Sequence, residues 1–572
     1  MNLQKKINEA YKKLGIKITA LENDRSIVLN GECGDWQKIV DAGKLFVDKK
    51  SGKHVVNDIK YTTRQETPPY LPALKDEKLN GTEWDVVIIG GGISGCSVAR
   101  ELTKFDLKVL LCEKHSDVAH GASGANDGMV HAGIDIKRQC KKLYYGVRGN
   151  AMYDKVCKDL GVEFERAGQY VVFTSRLIKL LGRSYLRRAK NNNIPGVEII
   201  CKKEICRIEP NVKDFAVGAL KITTTGAVSP YKLTIAYAEN AVQNGATVSL
   251  NTAVLSINRT DDEITSVVTN RGTVKAKCVV NCAGVFADQI AEMAGDRYFS
   301  IHPRKGVDLL MDSKANGLPS NAISLAPTFK TLKQNKNTKG GGIIKTVDGN
   351  ILLGPNAREV FDREDTSTQT SDINEVFDKQ SRCCPSMQKS GIIAYFAGVR
   401  APSYEEDFII ERSSEIKNLI HVAGIQSPGL TAAPAFSVDV AELAVEYLKS
   451  SGCDVKLNTD FNPVRNAPVC AKTLTDAERD ELIKSNPDYG KIICRCEEVS
   501  LGEIKNAINN PLGVRTIDGV KRRVRAGMGR CQGGFCMPLV VKAIAEETGV
   551  SYSSVDKGDM GSYVAIGNIK EI

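Results

Sequence analysis

The chain has 572 residues, 42% of them hydrophobic and 26% charged, with Gly 50, Pro 19 and Trp 2, proportions that exclude a disordered, collagen-like or disulfide-scaffold protein. Lys+Arg 78 against Asp+Glu 68 leaves a net charge of +10, too dilute over this length for the basic stripe of a nucleic-acid binder. The polar amino terminus lacks the apolar core of a signal peptide. No apolar run reaches the ~18 residues of a spanning helix, so the expectation is a cytoplasmic protein of several domains with no transmembrane segment and no nucleic-acid partner.

Residues 1–62 begin with a Lys-rich amphipathic stretch. Alternating segments at 16–21 and 26–31, a helical stretch at 35–47 and a closing strand at 55–59 complete a small α/β unit. Its order of elements resembles a BON-type module, a short fold used for binding. A Pro-containing linker, 63–82 with TPPYLP at 67–72, leads into a long α/β region over 83–450. A second linker, 451–488, precedes a compact cysteine-bearing module at 489–549 and a tail at 550–572.

The long region opens on an apolar strand, DVVII at 85–89, that runs into GGGISG at 90–95 and then a helix-forming stretch. Gly90, Gly92 and Gly95 satisfy G-x-G-x-x-G in the strand–turn–helix setting that gives the motif meaning. Gly90 permits the tight turn, Gly92 lets backbone approach a pyrophosphate, and Gly95 lets the helix press on the strand. The helix N-terminus then offers free N–H groups to the phosphates. A second strand at 108–112 ends on Glu113, at the spacing where an acid accepts hydrogen bonds from a ribose. Two later segments, VVNCAGVFAD at 279–288 and LIHVAGIQSPGLTAAP at 419–434, each join a strand to a small-residue turn. The second starts a helix that can aim N–H groups at the pyrimidine end of a flavin.

These stretches, with SGANDGMVHAG at 123–133, GNILLGPNA at 349–357 and FAGVR at 396–400, resemble the D-amino-acid-oxidase-type flavoproteins. The likeness is to the branch that holds FAD-dependent glycerol-3-phosphate dehydrogenases and oxidases and L-2-hydroxyglutarate oxidases. The resemblance implies a Rossmann-like FAD-binding domain interleaved with an antiparallel-sheet substrate domain. It implies FAD contacts from Gly90, Gly92, Gly95, Glu113, Ser123, Asn126, Ala283, Gly284, Gly424, Gln426, Gly429, Leu430 and Thr431.

Oxidising an alcohol on a flavin needs a base for the hydroxyl proton and cations for an anionic substrate. The resemblance puts the pocket histidine at His131. Arg400 ends a strand-like run, where its guanidinium can fork onto a carboxylate or phosphate, and Lys339 and Ser427 fall where the family keeps other ligand-contacting residues. Asp127 stands where relatives carry Ser, and KGVD at 305–308 replaces the usual Lys/Arg-Gly-Glu-Tyr. A carboxylate of Asp127 aimed inward would repel a phosphate.

Seventeen cysteines with scattered spacing argue against a disulfide framework. Cys96, Cys112, Cys278 and Cys282 lie in apolar runs, where a thiol packs as a small hydrophobe. Cys494, Cys496, Cys531 and Cys536 differ, since four thiolates from two short loops suit tetrahedral zinc or an iron–sulfur cluster. C-x-C followed by C-x₄-C resembles the small helical bacterioferritin-associated-ferredoxin-like [2Fe-2S] domain. Arg495, Arg525 and Arg530 would stabilise the cluster's negative charge. The basic run at 521–525 reads either as a dock for an acidic partner or as a solvated face.

A two-electron flavin joined to a one-electron cluster suggests a dehydrogenase with a protein electron acceptor, either a flavoprotein or an Fe-S protein, including one bound to a membrane. The fused layout resembles the large subunit of anaerobic glycerol-3-phosphate dehydrogenases, and implies oxidation of sn-glycerol 3-phosphate to dihydroxyacetone phosphate. An L-2-hydroxy acid dehydrogenase or oxidase, and a non-catalytic flavin/Fe-S redox sensor, are the alternatives.

Overall fold

Strand Glu83–Ile89 carries Val86, Val87 and Ile88 fully buried, the pattern of a parallel strand covered on both faces. It centres an eight-stranded sheet in the computed structural model, which describes residues 2–65, 67–136, 139–315, 317–327 and 341–567. The parallel core runs Thr247–Ser249, Val109–Cys112, Glu83–Ile89, Gly272–Asn281 and Leu419–Ala423. Helix Ile93–Leu102 is buried along its whole length, between this sheet and helices Pro230–Gln243 and Gly429–Ser450. Burial pushes the Cys112 and Cys278 thiols up to about 12, as expected of thiols that serve only as packing.

The second sheet has nine strands and is mixed, which corrects the expectation of an antiparallel one. Ala322–Leu325 runs parallel to Gln169–Phe173, because between these two strands the chain passes through the nucleotide-binding sheet before it returns. Within this sheet Arg304–Met311 pairs antiparallel with Ile392–Arg400, setting Arg304 opposite Arg400 and Asp308 opposite Phe396. Val307, Leu309 and Met311 enter the apolar core. By strand alternation Gly306 and Asp308 face the other way.

The N-terminal unit is a helix, Leu3–Leu14, strands Ile18–Glu22 and Ser26–Cys33, a helix, Trp36–Phe46, and strand His54–Tyr61. Asp35 caps the second helix through the Lys38 N–H. The unit is not free-standing, because Tyr404 of the oxidoreductase region completes its core beside Ile39, Val40 and Phe46. A Cβ at Gly43 would lie 2.2 Å from the Tyr404 ring, so only glycine admits that ring.

The cysteine module packs helices Leu501–Ile508, Ile517–Val524 and Met537–Thr548 around Ile504, Val520, Val540 and Ile544. The three arginines of its basic run turn onto groups of this same chain. Arg523 donates to Asp117 at 2.8 and 3.2 Å, both side chains being nearly inaccessible, and Arg522 donates to the Val118 carbonyl. Arg525 pairs with Asp348 at 2.8 Å and Glu497 at 2.8 Å. The segments between domains are fastened too: the Arg465 guanidinium lies 3.2 Å from Glu239, and Asp559 of the tail accepts the Ser116 N–H at 2.9 Å.

Although burial opposes it, Arg523 and Arg522 hold the Asp117 carboxyl below the usual carboxylate range. Its stabilising contribution is therefore present above the ordinary carboxylate pKa and is lost as pH falls through the depressed value. Arg523→Ala leaves a buried carboxylate short of its partner and should cost ~3 kcal/mol, read as a melting temperature lowered by several degrees at neutral pH. Unchanged melting would show that the interface does not depend on this pair.

Candidate functional site

The nucleotide end of the site is built by the turn after Glu83–Ile89. Gly90 has φ 109°, and a Cβ there would strike the Cys282 carbonyl oxygen at 2.6 Å and the Ala283 Cα at 3.2 Å. The small-residue turn at 282–284 therefore lies directly on the glycine turn, with Gly284 at φ 57°. At Gly95 a Cβ would sit 2.0 Å from the Gly90 carbonyl, so the helix can come this close only as glycine. Gly92 caps helix Ile93–Leu102 without a side chain, so no cap side chain blocks the N–H groups that follow Ile93.

Glu113 is buried and accepts the Gly91 N–H at 2.6 Å and the His115 N–H at 2.9 Å. A carboxylate has roughly four acceptor positions, so it retains capacity for a ribose hydroxyl. Ser123 accepts the Ile93 N–H at 2.9 Å, at the helix end meant for phosphate. Asn126 turns inward on its own loop, donating to the Ala122 and Ser123 carbonyls and accepting from Gly128. The helix end, the open glycine approach and the acid together fit an FAD.

The reactive end gathers three separate segments. His131 lies after strand Met129–Val130, with its N–H on Thr431 Oγ1 at 2.9 Å and its carbonyl held by Asn150 Nδ2 at 3.0 Å. Its Nε2 lies 3.3 Å from Ser427 Oγ. The turn carrying Ser427 starts at Gly424, φ 67°, and closes where Gly429 donates to the Gln426 carbonyl and Leu430 accepts from Tyr153. Gln426 donates to Glu406 at 2.6 Å. Burial works against the Glu406 charge, yet Arg304 and Lys142 hold that carboxyl down to about 2.

Arg400 ends strand Ile392–Arg400 and lies beside Asp308 and Asp127. A Cβ at Gly306 would lie 2.0 Å from its Nη2, and one at Gly398 would lie 2.2 Å from the Ala125 carbonyl. Two glycines thus clear the sheet face so that Arg400 and the segment before His131 can meet. Arg400 donates to the Asn356 carbonyl at 3.2 Å. Lys339 lies outside the described residues.

Asp308 is the group that sequence reasoning passed over, noting its segment only as a departure from pattern. It is 2% exposed, and its Oδ1 has no hydrogen-bond partner. Burial, with Asp127 beside it, pushes its carboxyl far above the usual range, partly opposed by Arg400. Asp127 does turn toward this group, while its Oδ1 also accepts the Met129 N–H at 3.1 Å. A neutral Asp308 leaves more of the Arg400 positive charge uncompensated.

In the cysteine module the sulfurs of Cys494 and Cys496 lie 3.9 Å apart and those of Cys496 and Cys531 3.7 Å. A Cβ at Gly529 would come 2.6 Å from the Cys496 sulfur, so glycine makes room there. Burial opposes it, but N–H groups of Phe535, Gly533 and Gly534 and the neighbouring Cys496 hold the Cys531 thiol below its ordinary value. Cys536 packs against Cys494 from the other side. Clustered thiols with N–H donors aimed at sulfur fit an iron–sulfur cluster. The module meets the pocket wall where Tyr231, next to the Pro230 that abuts Gly128, donates to Met528 Sδ at 3.4 Å.

Residues 85–443 match the family described as FAD dependent oxidoreductase, and residues 492–546 the BFD-like [2Fe-2S] binding domain. The chain is 40% identical over 488 residues to a glycerol 3-phosphate dehydrogenase of Caloramator mitchellensis, which covers 85% of this chain and 99% of that one. It is 26% identical to one subunit of the anaerobic glycerol-3-phosphate dehydrogenase of Escherichia coli (strain K12), over 79% of this chain and 86% of that one. The FAD-bound L-alpha-glycerophosphate oxidase from Mycoplasma pneumoniae matches with TM-score 0.62 and 28% identity, over 68% of this chain and 99% of that one.

The raised Asp308 carboxyl gives a stability effect of definite sign. The fold favours its protonated form, so this contribution is present at acid pH and is lost as pH rises from the ordinary carboxylate range toward the raised value. Asp308→Asn should melt with the wild type near pH ~5 and several degrees above it near pH ~8.5. Parallel melting curves at both pH values would refute the buried-carboxyl assignment.

Proposed function

The chain belongs to the FAD-dependent oxidoreductase family, and we propose that it oxidises sn-glycerol 3-phosphate to dihydroxyacetone phosphate and delivers the electrons to a partner protein. The observation that supports this reading is the approach of His131 and Ser427 from two distant segments to 3.3 Å of one another, in a chain whose Arg400 lies beside Asp127, four residues before that histidine. When bound, FAD supplies a two-electron acceptor for the C2 hydride and the [2Fe-2S] cluster a one-electron outlet.

The protein groups do the rest. His131, pinned at both its N–H and its carbonyl, takes the hydroxyl proton at Nε2, with the Ser427 hydroxyl orienting the ring. Arg400 forks onto the phosphate, and Lys339 is the second cation of this reading. The Escherichia coli relative is named as one subunit of its enzyme, which supports an acceptor on another chain. The helix–strand–strand–helix–strand order of residues 1–62 supports a BON-like module, here serving as a brace. The oxidoreductase unit spans 83–450 and the cluster unit 489–549.

Anaerobic addition of sn-glycerol 3-phosphate should bleach the flavin of purified protein containing two irons per chain. His131→Ala should retain its FAD yet bleach ~10²–10⁴ times more slowly. Bleaching by L-2-hydroxyglutarate and not by glycerol 3-phosphate would move the substrate to the 2-hydroxy acids. A flavin that no alcohol reduces would return the chain to a redox sensor.

A further inference from the structure

Helix Arg176–Asn191, RLIKLLGRSYLRRAKN, lies at the edge of the substrate sheet and contributes nothing to the site. Its inner face is ordinary. Ile178, Tyr185, Leu186 and Ala189 join the apolar cluster around Phe173 and Leu220, and Gly182 seats the Phe173 ring, where a Cβ would come within 2.6 Å.

The outer face is not ordinary. A surface helix buries one apolar stripe and shows polar residues to water, but Leu177, Leu180 and Leu181 are 58%, 55% and 44% exposed. Their i, i+3, i+4 spacing sets them together on the first turns. By the same periodicity Arg176 and Arg183 border Leu180, and Arg187 and Arg188 follow further along the helix. The helix has no Asp or Glu, and among the described residues none of its six cations (Arg176, Lys179, Arg183, Arg187, Arg188, Lys190) pairs with a carboxylate. Beside it lies a groove of about 400 Å³ lined by Arg176, Lys179 and Arg183 with Leu180, Leu186 and Ile199.

Exposed leucines flanked by cations that pair with no carboxylate among the described residues, Lys179 donating only to the Val217 carbonyl, match a surface that is anionic outside and apolar just beneath. A leaflet rich in anionic phospholipid has that layering: headgroup phosphates draw the cations, and the leucines enter the acyl boundary. Nucleic acid offers phosphates but no apolar layer for the leucines, and a second copy would set these cations against themselves. Among the described residues no helix is long and apolar enough to cross a membrane, so the contact is with the surface alone. We propose that helix Arg176–Asn191 docks this protein directly on anionic phospholipid bilayers, with headgroup phosphates in the Arg176–Lys179–Arg183 groove.

Co-sedimentation of the full-length holoprotein with vesicles tests this. Vesicles of about one-third phosphatidylglycerol in phosphatidylcholine, at low salt, should retain the wild type at least tenfold better than pure phosphatidylcholine, and ~0.5 M salt should release it. A triple variant, Leu177→Ser with Leu180→Ser and Leu181→Ser, and a double variant, Arg183→Glu with Arg187→Glu, should each bind at least tenfold less. Both should keep wild-type melting and substrate-driven flavin bleaching, since every altered side chain faces solvent. Failure of the wild type to bind anionic vesicles would overturn the proposal. So would undiminished binding by the triple leucine variant, the result expected of a site that captures RNA or an acidic protein by charge alone.

Discussion

The buried pair between Arg523 and Asp117 is the constraint on which the two redox modules depend. A carboxylate with no solvent access is tolerated only when a cation reaches it with good geometry, and here the cation arrives from a helix roughly 400 residues away in sequence. Asp117 belongs to the segment that follows Glu113, so the charge anchoring the cysteine module also stiffens the loop meant for the dinucleotide. Arg525 repeats the device on the substrate sheet through Asp348, and binds Glu497 next to Cys496. Docking, nucleotide loop and cysteine loop are thus tied to one another by charges that could not stay buried alone.

The N-terminal unit works the same way from the opposite side. Tyr404 fills its core, Glu405 accepts the Val55 N–H at 2.9 Å, and the next residue, Glu406, bridges Arg304 and Gln426. Three consecutive residues therefore carry the position of a distant module to the turn that holds Ser427. Arg25 and His421 close on Asp296 in the same interface. The module acts as a brace: through these contacts it restricts the backbone from which Gln426 and Ser427 project.

Around Arg400, charge is suppressed as well as supplied. Arg400 is partly buried, with the carboxyl groups of Asp308, Asp127 and Glu359 close by. One of them, Asp308, is driven toward its neutral form by burial and by Asp127. The substitution that looked hostile to phosphate therefore helps to keep the deeper carboxyl protonated. This coupling spans a loop and a strand and has no local signature.

What could be read without coordinates was what depends on neighbours along the chain. Gly90, Gly92, Gly95 and Glu113 announce a dinucleotide turn because backbone clearance and strand length impose their spacing, and Cys494, Cys496, Cys531 and Cys536 announce a tetrathiolate site because short loops must converge on one centre. Side-chain pairings across domains were not legible. The basic run at 521–525 looks like a solvated face until Asp117, Asp348 and Glu497 are brought to it, and Tyr404 looks like any loop aromatic until Gly43 makes room for it. The one parallel strand in the substrate sheet was hidden for the same reason, since its direction follows from the route of the chain through the other sheet. Local sterics and ligand spacing are encoded within a few residues, whereas the burial that sets a charge's partner or a carboxyl's proton exists only once distant segments have packed.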